Sequence, residues 1–99
     1  MYNTRMYYVY ILLNLDEKSA RKFYIGVTDK VTTRVDQHNH GLSQWTSKFG
    51  PWRLIYFEAY LSPVDAGRRE RQLKHHGKGF HELKKRLESS INDAKKVRD

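Results

Sequence analysis

Two short runs rich in tyrosine, valine, isoleucine and leucine, residues 7–13 and 23–27, constrain this chain most. β-Branched and aromatic residues suit a pleated, half-buried surface, so each run predicts a strand. The polar residues 14–21 between them predict a loop. Alternate strand positions face opposite sides. In the first run Val9, Ile11 and Leu13 share a face, opposite Tyr8, Tyr10 and Leu12. In the second, Phe23, Ile25 and Val27 share a face, opposite Tyr24, Gly26 and Thr28. The odd faces are the more uniformly apolar and should meet the core together. An antiparallel pairing that joins them also places Tyr10 and Tyr24 on one opposite face, beside Gly26. A strand glycine lets another group approach the backbone closely.

Downstream, Thr28 or Asp29 is expected to cap a helix running to about Asn39, with Gly41 as its stop. Residues 42–51 show no clean period and contain the breaker pair Gly50-Pro51. Residues 54–60 predict a third strand, with Leu54, Tyr56, Glu58 and Tyr60 on one face. Ser62-Pro63-Val64-Asp65 is a helix start: capping serine, proline at the first helical position, carboxylate at the third. That helix should run to about His75 and break at Gly77-Lys78-Gly79. Phe80, Leu83, Leu87, Ile91 and Ala94 then recur at helical spacing and predict one last helix. Residues 95–99 read as a charged, frayed tail. The expected class is α+β in the order β-β-α-β-α-α: a three-stranded antiparallel sheet flanked by helices, one domain over residues 1–99 with its core at about 6–88.

Composition narrows the function. Nineteen Lys and Arg against eleven Asp and Glu give a net charge of +8, with 38% hydrophobic and 13% aromatic residues. That is too apolar for a disordered basic tail. Cysteine is absent, which excludes disulfides, thiolate zinc sites and cysteine nucleophiles. The longest apolar stretch, residues 7–13, is far shorter than the ~20 residues of a membrane span. Polar Asn14, Asp16 and Glu17 follow it too closely for a signal peptide. A cytoplasmic protein with no membrane partner is therefore expected.

Several polar residues interrupt this plan. Arg34 and His38 are four apart on the first helix and share one stripe beside Val31 and Val35. A guanidinium there can stabilise charge on a phosphate, and an imidazole can move a proton near neutral pH. Glu70 shares a helical face with Ala66 and Leu73, so a carboxylate interrupts an apolar stripe amid Arg68, Arg69, Arg71 and Lys74. Its partner is either a neighbouring arginine or a divalent cation. Glu58 is a rival ligand. Each of these residues alone is more ordinarily structural, as are two sheet tyrosines under a covering helix. Eight Lys or Arg fall between Arg68 and Arg86 against only Glu70 and Glu82, which favours a polyanion partner. Phe49, Trp45 and Trp52 can stack on bases or fill the core, core filling being favoured for Trp52. His75, His76 and His81 make a weak zinc case without cysteines. Asp36, His38 and Ser43 lack the nucleophile turn of a hydrolase triad.

Taken together, Tyr8-Val9-Tyr10, Tyr24-Ile25-Gly26, Arg34, His38 and Arg69-Glu70 with Lys74 one turn on resemble the GIY-YIG nuclease domain. The resemblance covers roughly residues 6–88. It is closest to small stand-alone bacterial members, which are similar to the N-terminal domain of the nucleotide-excision repair incision subunit. In the first motif Tyr8 and Val9 replace the family's glycine and isoleucine, while Tyr10 is retained. Asn92 is the nearest counterpart to a late asparagine found in some members.

The resemblance implies a metal-dependent endonuclease hydrolysing phosphodiester bonds in DNA, structured or damaged DNA included. Tyr10 and Tyr24 would be the site tyrosines, one of them the general base or positioner of water, with Gly26 keeping the space beside them open. Arg34 would steady the phosphate, His38 would assist proton transfer, and Glu70 would hold Mg²⁺ or Mn²⁺. Because a phenol with pKa ≈ 10 is a poor base at neutral pH, Arg34, Lys30 or the metal would have to lower it. Arg68, Arg69, Arg71, Lys74 and Lys78 would contact nucleic acid. Targeting would come from the domain surface, a homodimer or a partner protein. A non-catalytic nucleic-acid-binding module fits the same charge, and a pure protein-interaction domain fits it less well. Either nucleic-acid reading predicts that affinity for DNA falls steeply with salt, because phosphate contacts release counterions. Fluorescence anisotropy titrations at increasing salt check this; a constant unchanged between low and moderate salt contradicts it.

Overall fold

The computed structural model describes residues 5–40, 49–74 and 78–96. Its strands are β1 (Tyr7–Asn14), β2 (Phe23–Thr28) and β3 (Trp52–Tyr60), and its helices are α1 (Val31–Asn39), α2 (Pro63–Lys74), α3 (Lys78–Arg86) and α4 (Glu88–Lys96). The strands form one antiparallel sheet in the order β2-β1-β3. The α+β class and the three-stranded antiparallel sheet agree with the sequence reading.

β1 is central, and helices cover both of its faces. Val9, Ile11 and Ile25 pack with Ala66 and Leu73 of α2, Leu83 of α3, and Leu87. On the other face Tyr10, Leu12 and Trp52 pack with Tyr24, Leu54 and Val35 of α1. Each such aliphatic side chain, fully buried, contributes about 1.5–3 kcal/mol. The β1–β2 register pairs Val9 with Val27, Tyr10 with Gly26, Ile11 with Ile25 and Leu12 with Tyr24. That is the alternation expected from the two tyrosine-bearing runs.

β3 departs from expectation. Ile11 faces Tyr56 while Leu12 faces Leu54, so Ile55 is an extra residue, a β-bulge. The bulge shifts the alternation by one. Leu54 packs on the α1 side of the sheet, whereas Ile55, Tyr56 and Tyr60 pack on the α2 side. The expected common face of Leu54, Tyr56, Glu58 and Tyr60 is thus split. β3 also begins earlier than predicted, because Trp52 is buried and fastened at both backbone groups. Asn39 donates from Nδ2 to the Trp52 carbonyl at 2.8 Å, and the Trp52 N–H donates to Asn39 Oδ1 at 2.8 Å. Just before it Gly50 has φ 108°, a conformation that disfavours a side chain.

Neither expected side chain caps α1. The residue before it is Lys30, with no side-chain capping bond. Thr28 Oγ1 accepts from the Lys30 N–H at 3.1 Å, and the Asp29 carboxylate pairs with Arg5. α2 starts as predicted, with the Val64 N–H donating to Ser62 Oγ at 3.1 Å. Of the expected break after α2, Lys78 and Gly79 instead begin α3 and Gly77 lies outside the described residues, and the expected last helix is two. At the junction the Leu87 N–H reaches both Leu83 O at 3.1 Å and Lys84 O at 3.2 Å, a tightened turn. The bend lets α4 pack against β3 while Leu83 and Leu87 stay in the core. Lys95 and Lys96, expected in the frayed tail, belong to α4. Gly41, Ser43, Trp45, His75, His76 and the last three residues lie outside the described residues. Among the described residues no helix is long and apolar enough to cross a membrane.

Replacing Asn39 with alanine removes both partners of the buried Trp52 backbone. We expect a loss of about 1–3 kcal/mol in unfolding free energy, measured by urea titration.

Candidate active site

Across the β1–β2 pair the Tyr10 ring lies directly over Gly26. A Cβ at Gly26 would stand 2.5 Å from the Tyr10 oxygen and 2.7 Å from Cζ, so only glycine fits there. The phenol is carried over to His38, whose Nε2 is 2.9 Å from Tyr10 Oη. Tyr24, two pairs further along the sheet, has its ring centroid 6.1 Å from that of Tyr10 and 4.5 Å from that of His38. Arg34, one turn before His38 on α1, interacts electrostatically with both phenols. It also donates from a terminal nitrogen to Gln37 Oε1 at 2.9 Å. Two strands and one helix thus gather Tyr10, Tyr24, Arg34 and His38 into one polar cluster on the α1 face. Trp52 meets Tyr24 edge to face at 6.4 Å and closes the apolar side.

Burial divides the cluster. Tyr10 is 1% exposed and His38 2%, whereas Tyr24 and Arg34 are half-buried. His38 is therefore an interior residue and not the core-boundary residue its helical stripe suggested. Burial, then the Arg34 charge, pulls the His38 pKa down to about 4, so the imidazole is neutral at pH 7. Burial and the neighbouring Tyr24 hold the Tyr10 phenol well above its ordinary range despite the Arg34 hydrogen bond. For Tyr10 the expected lowering by Arg34 is present but outweighed, and the group stays protonated. Burial alone would lower the Arg34 pKa, but interaction with the Tyr10 and Tyr24 phenols outweighs that and raises it. Lys30 is exposed at the start of α1.

Glu70 is half-buried on α2, and its ion-pair partner among the described residues is Lys74, Nζ to Oε2 3.0 Å. Its helix packs on the α2 side of the sheet, and Lys74 lines a cavity that Tyr24 also lines at the β2 edge. A partly exposed i,i+4 pair contributes only about 0.3–0.5 kcal/mol, so Lys74 does not lock the carboxylate. Among the described residues no three His, Asp or Glu side chains converge on a metal position. Mg²⁺ commonly binds through one or two carboxylates, keeping waters and taking phosphate oxygens. A lone Glu70 fits that mode and does not fit a closed all-protein site.

Glu58, the rival ligand, is fully engaged. Arg69 donates from Nε to Oε1 at 2.9 Å and from a terminal nitrogen to Oε2 at 3.0 Å. Tyr56 and Tyr60 donate to the same carboxylate at 2.8 and 2.5 Å. Burial alone would raise the Glu58 pKa, but these four bonds outweigh it and hold the carboxyl low. Burial, then Glu58, pushes Tyr60 up to about 12. Arg69 is therefore turned onto β3 and away from the basic face on which it was expected. Arg68, Arg71, Lys74 and Lys78 are exposed, Arg68 pairing with Asp65 at 3.3 Å. Sequence reasoning missed this clamp, and the spacing of Tyr56, Glu58 and Tyr60 at every second strand position was the available signal.

His38 sets a pH dependence of stability. Between about pH 6.5 and 4 the unfolded histidine takes up a proton that the folded one refuses. Stability is then complete above that window and falls as pH drops through it, by about 3 kcal/mol. Urea unfolding at neutral pH and near pH 4 should show this loss, and His38→Asn should flatten it.

Known proteins are similar to this chain. The GIY-YIG catalytic domain family matches residues 6–92. A UPF0213 protein of Lacticaseibacillus paracasei is 40% identical over 73 residues, 73% of this chain and 78% of that protein. Another UPF0213 protein, from Clostridium perfringens, is 37% identical over 70% of this chain and 71% of its own length. A structure-specific endonuclease subunit SLX1 homolog of Giardia intestinalis is 37% identical over 51 residues, 48% of this chain but 14% of that protein. No solved structure matches the chain. With Tyr10 lying over Gly26 and the family's match spanning residues 6–92, nearly the whole chain, the protein belongs to the GIY-YIG catalytic domain family.

Proposed function

We propose that the chain is a metal-dependent endonuclease that hydrolyses phosphodiester bonds in nucleic acid, DNA first, with structured or damaged DNA as its targets. The observation that supports the reading is the cluster of Tyr10, Tyr24 and His38 on one face of the sheet, with the half-buried Arg34 one helical turn from His38. Nuclease chemistry needs a positioned water, a cation beside the phosphate and charge relief at the leaving oxygen.

Burial supports the following division of roles. Tyr24 is the phenol at the mouth and orients the attacking water. Arg34 donates N–H groups to the non-bridging phosphate oxygens. Tyr10, protonated and enclosed, is a positioning residue: its hydroxyl is hydrogen-bonded to His38 and interacts with the Arg34 charge. His38, neutral at pH 7, accepts the Tyr10 hydrogen bond and acts behind the site. A divalent ion held at Glu70 would supply charge neutralisation at the phosphate. Mg²⁺ or Mn²⁺ suits a carboxylate donor. Arg68, Arg71, Lys74 and Lys78 provide the surrounding positive field, which +8 overall reinforces. The Giardia relative is named as a subunit, which favours a partner protein for targeting here too.

A non-catalytic binding module is the second reading, favoured by the Glu70–Lys74 pair. Labelled single-stranded, duplex and branched DNA, incubated with Mg²⁺, Mn²⁺ or EDTA, separates the two. We expect metal-dependent cuts that fall about 100-fold or more in Arg34→Ala and Glu70→Ala, with binding retained. Binding without cleavage on every substrate would establish the module instead.

A further inference from the structure

β2 is an edge strand, and its open side carries a feature that the cluster on the α1 face does not use. A cavity of about 1030 Å³ runs there between the strand and the α2–α3 pair. Lys22, Phe23 and Tyr24 line it from the sheet side, and Lys74, Phe80 and Lys84 from the helices. No Asp or Glu is among the described residues that line it. Phe23 and Phe80 meet edge to face, 5.2 Å between centroids and 83° between planes. The Lys84 ammonium stands 5.1 Å from the Phe80 ring and 6.0 Å from that of Phe23. Tyr24, the half-buried phenol of the candidate active site, is also among its lining residues.

Cations interleaved with aromatic rings form the surface that unpaired nucleotides recognise: bases stack on the rings and phosphates meet the ammonium groups. An acidic peptide would use the charges and leave the rings without partners. A duplex keeps its bases stacked inside and offers the rings only backbone. We propose that this trough holds an unpaired nucleic-acid strand, with bases on Phe23 and Phe80 and phosphates on Lys22, Lys74 and Lys84, and leads it to Tyr24. The inference deepens the endonuclease reading and rests on it only for the strand's destination: the enzyme would act where a single strand leaves a duplex.

Fluorescence anisotropy in EDTA, where no metal-dependent cutting occurs, tests the trough apart from catalysis. The probes are an oligothymidylate of about 12 nucleotides, its oligouridylate counterpart and a blunt duplex of equal length. We expect the single strand to bind more tightly than the duplex. Lys84→Glu should weaken single-strand binding by about tenfold or more and Phe80→Leu by about fivefold. Lys95→Glu, the same charge change at an exposed site on α4, should cost less than about threefold. Circular dichroism verifies folding, and Lys84→Glu carries the test alone if Phe80→Leu unfolds. A response by oligouridylate alone identifies the strand as RNA and supports the trough. Equal losses in Lys84→Glu and Lys95→Glu, or a duplex bound as tightly as the single strand, overturn it. Failure of the wild type to cut any DNA with metal, while the Lys84→Glu loss persists, overturns the nuclease reading and leaves the trough standing.

Discussion

A phenolic hydroxyl enclosed in the middle of a central strand has to find hydrogen-bond partners inside the protein, since leaving it without them costs several times what a bond contributes. Tyr10 is that residue, between Val9 and Ile11, both with no exposed surface. Its ring can leave the strand only over Gly26, where a single added carbon would collide with it. Its oxygen then reaches His38, which must itself be buried and neutral to receive it. Arg34 completes the set one helical turn away. The polar cluster is thus a chain of satisfied requirements: glycine for space, histidine for a neutral partner, arginine for a charge that bridges to the more exposed Tyr24.

The two sides of the sheet divide the labour. On the α1 side the polar atoms face a half-exposed mouth and stay chemically accessible through Tyr24 and Arg34. On the α2 side Glu58 is buried deeply enough that its charge needs several donors, and Arg69, Tyr56 and Tyr60 supply them. Breaking such a pair strands a charge, whereas keeping it contributes geometric definition more than energy. Arg69 precedes Glu70 directly. Neighbours on a helix point about 100° apart, so fastening Arg69 to β3 also fixes the direction in which Glu70 leaves α2. The clamp and the carboxylate proposed to hold a metal are therefore coupled through one helix rotation.

The surplus of positive charge has a comparable arrangement. Arg69 is withdrawn into the clamp, while Arg68, Arg71, Lys74 and Lys78 remain at the surface of α2 and α3. Lys74 sits between Glu70 and the β2-edge cavity, so the acid and the cavity share a neighbour. At this edge Lys22, Lys74 and Lys84 line the same cavity as the Tyr24 phenol.

Much of the plan was legible in the chain alone. The alternation in residues 7–13 and 23–27 already dictates which side chains share a face, because a pleated strand has a period of two whatever surrounds it. It thereby placed Tyr10, Tyr24 and Gly26 together, and the four-residue spacing put Arg34 and His38 on one stripe of α1. Ser62 and Pro63 announced α2 through purely local bonds. What required the tertiary structure was every feature set by contacts between distant segments. The bulge at Ile55 reverses the faces of β3 because Trp52 must be buried on one side and Tyr56 on the other. The helix break at Leu87 follows from packing α4 on β3. Asp29 caps nothing because Arg5 holds it. Burial, which neutralises His38, keeps Tyr10 protonated and leaves Tyr24 at the mouth, is a property of the assembled core. Local periodicity names the neighbours on a face, but only three-dimensional packing decides how much water reaches them, and that sets their chemistry.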